Sequence, residues 1–112
     1  MIRKFRPAAV GLLEALRDRS IRIQFVLAAM AFTAAIVLRL EFLEWIIVIM
    51  AAGAVIAAEM FNTCIERLCD VVMPERDERI RHIKDLAAGT VLLVSLTALL
   101  IALMILIRHL KG

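Results

Sequence analysis

Three long apolar stretches dominate the pattern of hydrophobic and polar positions along the chain. The chain carries no charge over 23–38, 45–58 and 86–107. A membrane-spanning helix needs about 20 apolar residues, which the third stretch supplies alone. The first needs flanking arginines that reach the interface, and the second continues through polar positions to about residue 65. The pattern therefore predicts three transmembrane helices, over about 23–40, 45–66 and 86–107.

The segment before the first span has the pattern of a surface helix. Apolar residues recur there at helical spacing beside charged ones; they are Phe5, Ala9, Leu12, Leu13 and Leu16. Such a helix suits the membrane surface, and we expect it over about 4–20. A signal peptide is the alternative, but Glu14 interrupts its only possible apolar core. The elements predict an all-α membrane protein that forms one domain over 1–112.

Composition supports lipid as the solvent for this chain. Hydrophobic residues make up 63% of its 112 residues, and the mean hydropathy is +0.92. Ordinary globular chains are about 45–50% apolar, and a soluble chain this small could not bury so much apolar surface. Cys64 and Cys69 stand five residues apart on one predicted helix, which suits neither a zinc pair nor a mutual disulfide. We interpret both as packing residues.

The basic residues predict the orientation of the spans. They cluster before the first span and in the loop before the third, whereas only Arg39 separates the first two spans. The positive-inside rule then places the N-terminus and the second loop in the cytoplasm and the C-terminus outside. "RLEFLEW" predicts a tight turn between the first two spans. Met73-Pro74 should end the second helix, because proline disfavours helical geometry in the preceding residue.

The string "EMFNTCIERLCD", residues 59–70, places polar side chains in the second span. At about 100° per residue, Glu59, Asn62, Glu66 and Asp70 fall on one side of the helix, which we call the acidic face. A carboxylate at the centre of a membrane helix costs about 2.5–3.5 kcal/mol on insertion, so these residues are functional candidates. The structural alternative is that they pair with basic residues and hold helices together; the available partners are Arg67, Arg22 and Lys84.

The acidic face and the basic loop share one membrane boundary, which favours phosphoryl transfer. Mg²⁺ binds one or two carboxylates and completes its shell with water and phosphate. Lys84 and the arginines supply positive charge for phosphate oxygens, while the deeper Glu59 can accept a proton from an alcohol in the bilayer. Phosphoryl transfer needs positioning and charge neutralisation above all. Neither GxxxxGK[ST] nor GxGxxG occurs, so a P-loop and a Rossmann site are excluded.

Two other classes of protein compete with a kinase. A small proton-coupled multidrug transporter has roughly this length and a membrane glutamate, but it should show four spans and one isolated carboxylate. A structural membrane scaffold explains neither Glu59 nor the basic loop. His82 and His109 are interpreted as solvated loop and terminal residues without a role.

Four strings together resemble the membrane-embedded prokaryotic diacylglycerol kinase and undecaprenol kinase family. They are "EMFNTCIERLCD", "IKDLAAGTVLL", "FRPAAVGLLEAL" and "RDRSIRIQF", and the similarity runs from Phe5 to about Ile107. The resemblance implies a homotrimer in the bacterial cytoplasmic membrane, with active sites between subunits at the cytoplasmic interface. There, MgATP would phosphorylate a lipid alcohol. The implied partners are ATP, the lipid alcohol, membrane lipids and further copies of the chain, and no nucleic acid.

The same resemblance implies roles for individual residues. Glu59 would be the catalytic carboxylate beside the lipid hydroxyl, and Glu66 and Asp18 would hold Mg²⁺. The remaining roles are nucleotide or phosphate binding by Lys84, Asp85, Asn62 and Arg6, and organisation of the site by Asp70 and Arg22. The chain departs from the family pattern at Asp18, which replaces a glutamate, and at Ser20, which replaces an asparagine. "PERDERIRH" lacks the Tyr-His that many members carry in this loop.

The residues after Lys84 and Asp85 bear on the acceptor. "KDLAAGTVLL" looks more like the undecaprenol kinase branch than the diacylglycerol branch, which tends to Gly-Ser-Ala after Lys-Asp. Ala88 thus offers no hydroxyl to an ester-bearing glycerol, and an unpaired buried polar group costs about 1–3 kcal/mol. We therefore predict undecaprenol as the acceptor, with diacylglycerol as the alternative.

Overall fold

Four helices follow one another along the chain. The computed structural model describes residues 2–112, with side chains from Phe5 onward. Its helices are α1 (Ile2–Ala15), α2 (Arg19–Leu38), α3 (Phe42–Val72) and α4 (Glu78–Lys111), and residues 2–112 contain no strand. Helices α2, α3 and α4 are each long and apolar enough to cross a membrane. The predicted all-α fold with three membrane-length helices is confirmed.

The N-terminal helix is shorter than the 4–20 expected from the sequence. It ends at Ala15, and α2 begins at Arg19. The break arises because Asp18 caps α2: its carboxylate accepts a hydrogen bond from the backbone N–H of Ser20 at 2.9 Å, and so satisfies a free donor of the new helix. The apolar side chains of α1 remain outside the bundle, with Phe5 and Leu13 each 66% exposed, as a helix on a membrane surface requires.

The α2–α3 turn is short and well capped. Arg39 takes the left-handed conformation (φ 56°, ψ 59°), and its backbone N–H donates to the carbonyls of Ala35 and Ile36. Glu41 and Glu44 then form a reciprocal capping box at the start of α3. The far end of α3 comes at Val72 with Met73 as its C-cap, immediately before Pro74, as the sequence predicts.

Helix α3 is the centre of the bundle. It packs along α4 and, over a shorter length, along α2. The buried apolar positions include Ile21, Ala35, Val55 and Ala87, whereas most large apolar side chains face outward. Outward-facing Leu, Ile and Phe are expected where lipid is the solvent, and small residues allow helices to approach closely.

Candidate active site

The acidic face lies at the end of α3 that meets the α1–α2 junction and the start of α4. Its deeper members are buried, with Glu59 8% and Asn62 9% exposed, and Thr63 beside them is 8% exposed. Glu66 and Asp70 are exposed. Helical spacing therefore produces a gradient from an enclosed carboxylate to carboxylates that water and a nucleotide can reach.

The side-chain amide of Asn62 has one hydrogen-bond partner and lacks another. Its side-chain nitrogen, Nδ2, donates to Glu66 Oε1 at 3.1 Å, which fixes the amide orientation. Its oxygen, Oδ1, is buried and has no hydrogen-bond partner within the part of the chain that the structure describes. A buried acceptor without a hydrogen bond lowers the stability of the fold by about 1–3 kcal/mol. A hydrogen-bond donor or a cation of a bound ligand would remove that penalty.

Glu59 is likewise without a partner. Among residues 5–112, whose side chains are described, no hydrogen bond or ion pair reaches its carboxylate. The carboxylates of Asp18 and Glu66 lie close enough for their charges to act on it. Negative groups near a buried carboxylate repel it, and a bound cation would offset that repulsion.

The donor set fits a magnesium ion that is shared with phosphate. No group of three His, Cys, Asp or Glu residues within 2–112 is arranged to hold a metal ion by itself. Mg²⁺ does not require such a cage, because it commonly takes one or two carboxylates and completes its octahedron with water and phosphate oxygens. Carboxylate oxygens of Glu66 and Asp18 are ligands of the right kind.

Asp18 divides its two oxygens between two helices. Oδ1 caps α2 through Ser20, while Oδ2 lies 4.0 Å from Nη2 of Arg67 on α3. The cap holds the carboxylate in place, and the arginine shows that it faces α3. The structure therefore brings the predicted metal ligand to the acidic face.

Lys84 and Asp70 form a direct ion pair. The Lys84 ammonium donates to Asp70 Oδ1 at 2.6 Å and joins the first turns of α4 to the last turns of α3. The structural alternative of carboxylate–base pairing thus applies to Asp70, and to Asp18 through Arg67. It does not apply to Glu59, and Glu66 contacts an amide instead.

Three predicted site residues stand apart from this cluster. Arg6 on α1, Arg22 on α2 and Asp85 on α4 are exposed. No side-chain hydrogen bond or ion pair joins any of them to another side chain of the described range 5–112. Their predicted roles in nucleotide binding and organisation of the site remain predictions.

The loop between α3 and α4 is held by an acidic N-cap. Asp77 Oδ1 accepts from the backbone N–H of Arg79 at 2.8 Å, and Oδ2 pairs with the Arg79 guanidinium at 3.0 Å. These two interactions lower the pKa of the Asp77 carboxyl to about 2. The charge of Arg79 is therefore engaged locally, at the start of α4.

The opposite end of the bundle carries a second polar cluster, which the sequence interpretation missed. This terminal cluster comprises Glu41, Glu44, Arg108 and His109. His109 Nε2 donates to Glu44 Oε1 at 2.9 Å and lies 3.1 Å from Oε2, while Arg108 lies 3.4 Å from Glu41 and 3.7 Å from Glu44. The interpretation of His109 as a solvated terminal residue is wrong, because its ring is half-buried and paired. The E-x-x-E pattern at the start of α3 could have indicated the capping role of Glu41 and Glu44, but not their pairing with Arg108 and His109.

Three membrane-length helices with a cluster of carboxyl and amide groups near one end of α3 define an integral membrane protein with a polar candidate site. Comparison with known proteins makes the class specific. The family model described as "Prokaryotic diacylglycerol kinase" matches residues 6–106, and the chain belongs to this family. A protein of Bacillus subtilis (strain 168) named undecaprenol kinase is 26% identical over 104 residues, which cover 92% of this chain and 85% of that protein. No solved structure matches.

Family membership decides between the functional classes left open by the sequence. The chain is a membrane lipid kinase, and the transporter and scaffold alternatives are set aside. Like other kinases, it requires a nucleotide, and the acidic face is the candidate place of reaction.

Proposed function

We propose that this kinase uses MgATP to phosphorylate undecaprenol at the cytoplasmic boundary of a bacterial membrane. The observation that carries the proposal is the buried, unpaired Oδ1 of Asn62 beside the buried carboxyl group of Glu59, on the side of α3 that also carries Glu66. The choice of undecaprenol is supported by the Ala-Ala-Gly sequence at 87–89 and by the name of the Bacillus subtilis relative.

Glu59 acts as the general base in this proposal. Its carboxylate takes the proton from the lipid hydroxyl as the oxygen attacks the γ-phosphorus of ATP. The new O–P bond forms while the bond from the γ-phosphorus to the β-γ bridging oxygen breaks, and ADP leaves with that oxygen. Burial of Glu59 keeps bulk water away from the reacting centre, which limits wasteful hydrolysis of ATP.

The residues around Glu59 neutralise the negative charge of the ATP phosphates, directly or through a metal ion. Mg²⁺ supplies positive charge to the phosphates when it is bound, and Glu66 and Asp18 are the residues that would hold it. Asn62 is held by Glu66, so its free oxygen can orient a donor on the substrate side. Asp70 positions the Lys84 ammonium at the exposed end of the site, where phosphate oxygens are bound. Arg6, Asp85 and Arg22 complete the nucleotide contacts and the organisation of the site.

The proposal includes the assembly and its orientation. The N-terminus and the 73–77 loop face the cytoplasm and the C-terminus faces outward, in accordance with the distribution of basic residues. The chain forms a homotrimer with sites shared between subunits, for which the small residues along α3, among them Ala54 and Ala57, allow close approach. Mixed oligomers of a Glu59→Gln chain and a Lys84→Ala chain should then recover part of the activity that each lacks alone.

Transfer of labelled phosphate into an extractable lipid tests the proposal directly. Purified protein is given MgATP and, in the same micelles, either undecaprenol or diacylglycerol. We expect a higher kcat/KM for undecaprenol. A higher value for diacylglycerol would change the acceptor and leave the lipid kinase in place, whereas no product with any lipid alcohol would contradict the proposed function itself.

A further inference from the structure

Thr63 is a buried threonine whose hydroxyl group differs from those of the other threonines. The others are exposed and donate to the backbone carbonyl four residues earlier; these bonds run from Thr33 to Ala29 at 2.9 Å, from Thr90 to Leu86 at 3.2 Å and from Thr97 to Leu93 at 2.9 Å. A threonine inside a helix often satisfies its hydroxyl in this way. Thr63 is 8% exposed, and its hydroxyl makes no hydrogen bond within residues 5–112. The hydroxyl is therefore free to pair with a ligand.

Helical geometry places Thr63 between Glu59 and the membrane boundary. At about 100° per residue its side chain lies about 40° from Glu59 around α3, and it is four residues, or about 6 Å, nearer to the end that carries Asp70. The residues one turn before and after it, Glu59 and Arg67, both lie near Asp18. The charge of Asp18 acts on Glu59, and Asp18 Oδ2 lies 4.0 Å from Nη2 of Arg67. Thr63 therefore faces the start of α2, with the proposed base one turn deeper and a proposed metal ligand on the facing helix.

The hydroxyl oxygen of Thr63 can be reached by a ligand. Among the buried and half-buried residues of the range 5–112, Asn62 Oδ1 is the one polar side-chain atom that is both wholly enclosed and unpaired. The Thr63 oxygen is also unpaired, so it keeps some accessible surface although the residue as a whole is buried. Asn62 and Thr63 thus give one turn of α3 two free groups, an acceptor and a donor.

The donor is the group that suits the phosphoryl oxygens of ATP. These oxygens are negatively charged and accept hydrogen bonds, whereas Asn62 Oδ1 is itself an acceptor and the Asn62 nitrogen already donates to another side chain. The Lys84 ammonium is paired with Asp70, about 10 Å farther along α3 than Thr63. The Thr63 hydroxyl is a donor at the height between Glu59 and that outer ion pair. In the proposed reaction, the transferred phosphoryl group lies at this height.

We propose that the Thr63 hydroxyl is a further catalytic group of this kinase, which donates a hydrogen bond to a non-bridging oxygen of the phosphoryl group during transfer from ATP to the lipid alcohol. This inference rests on the proposed function. Thr63 keeps its proton throughout: Glu59 takes the proton of the alcohol, the new O–P bond forms, and ADP leaves with the bridging oxygen. The hydrogen bond stabilises charge on the group in transfer, so it should act on the transition state more than on the binding of either substrate.

Two matched pairs of side chains isolate the effect of the hydroxyl. Thr63→Val keeps the shape of threonine and replaces the hydroxyl by a methyl group, while Thr63→Ser and Thr63→Ala differ from each other only by the hydroxyl oxygen. Thr97→Val is the control, because Thr97 is exposed and its hydroxyl already donates to the carbonyl of Leu93. Each variant is assayed for transfer of labelled phosphate from MgATP to undecaprenol and to diacylglycerol. Helicity and oligomeric mass are measured on the same samples.

Thr63→Val should lower kcat by about tenfold or more and leave KM for ATP and for the lipid within about twofold. Thr63→Ser should stay within about threefold of the wild-type kcat, and Thr63→Ala should fall below Thr63→Ser by about the factor that separates valine from threonine. Thr97→Val should leave kcat and KM within about twofold. If Thr63→Val does not fold, the comparison of serine with alanine decides the matter.

A near-normal kcat in folded Thr63→Val, or equal losses in Thr63→Ser and Thr63→Ala, would overturn the proposal, because the hydroxyl would then make no difference. A rise in KM for either substrate at unchanged kcat would also overturn it, because the hydroxyl would then contribute to binding and not to the transfer step. Wild-type protein that phosphorylates neither lipid would instead contradict the proposed function.

Discussion

Helix α3 buries one carboxylate in its first turn and another in its second half, and the two are buried for different reasons. Glu44 is 4% exposed and Glu59 is 8% exposed, so burial alone does not separate them. Glu44 accepts from the backbone N–H of Glu41 at 3.0 Å and from His109 at 2.9 Å, with Arg108 nearby. No side chain among residues 5–112 pairs with Glu59, and the neighbouring Asn62 Oδ1 is equally unpaired.

This difference shows how to distinguish a structural carboxylate from a functional one in a membrane helix. A buried charge is tolerated when hydrogen bonds and opposite charges replace water, as they do in the terminal cluster. A buried carboxylate without such partners is unfavourable for folding and is retained where a substrate or cation completes it. The terminal cluster joins the start of α3 to the end of α4. The acidic face instead has buried polar groups with which a substrate or a cation can pair.

The largest expected effect comes from Glu59→Gln. The substitution keeps the volume and removes the base, so transfer should fall by about a hundredfold or more while the protein remains folded. Turnover is measured at saturating lipid and MgATP, and helicity and oligomeric mass are measured on the same sample. Glu75→Gln, in the exposed loop, is the control. Near-normal turnover in Glu59→Gln would remove it from catalysis.

The matching substitution in the terminal cluster should lower thermal stability and leave turnover nearly unchanged. Glu44→Gln weakens the acceptor for His109 and Arg108, so the thermal midpoint should fall while the turnover of the folded fraction stays within about twofold. Thermal unfolding in detergent and activity at low temperature separate the two effects. If turnover collapses with no change in the midpoint, the distinction between the two ends of α3 is wrong.

Metal dependence should single out Glu66 and Asp18, the two proposed magnesium ligands. Glu66→Ala is expected to raise the Mg²⁺ concentration for half-maximal activity by about tenfold. Asp18→Asn is the sharper test of the second ligand, because asparagine preserves the N-cap of α2 and removes only the charge. An unchanged magnesium requirement in Asp18→Asn would restrict Asp18 to capping.

Asp77 should show the smallest effect, because it is a half-buried N-cap whose two carboxylate oxygens are already paired with Arg79. Its folded-state pKa, about 2, lies below the ordinary value of 3.8, so its contribution to stability is present above pH 3.8 and is lost as the pH falls towards 2. Asp77→Asn keeps the cap and should flatten the loss of stability in that interval, with activity at neutral pH unchanged. A neutral-pH defect would show that the loop contributes more than structure.

Local patterns in the sequence predicted what depends on one helix at a time. The acidic face follows from helical spacing alone, and Met73-Pro74 ends α3 as expected. The pairing of Glu44 with His109 spans 65 residues of sequence and depends on two helix ends meeting in space, which no local pattern encodes. The early end of α1 was missed because Asp18 was assigned to metal binding, although Asp-x-Ser is also an N-cap signal.

The unequal lengths of the helices make membrane thickness a variable of the reaction. At 1.5 Å per residue, the 20 residues of α2 span about 30 Å, the thickness of a hydrocarbon core, whereas the 31 residues of α3 span about 46 Å. In a bilayer thinner than this, α2 is expected to tilt so that its apolar length stays within the hydrocarbon core. Asp18 caps α2 only 4.0 Å from Arg67 on α3, so that tilt moves one carboxylate relative to the others. The thickness of the surrounding bilayer is therefore expected to affect the distance between Asp18 and the carboxylates of α3.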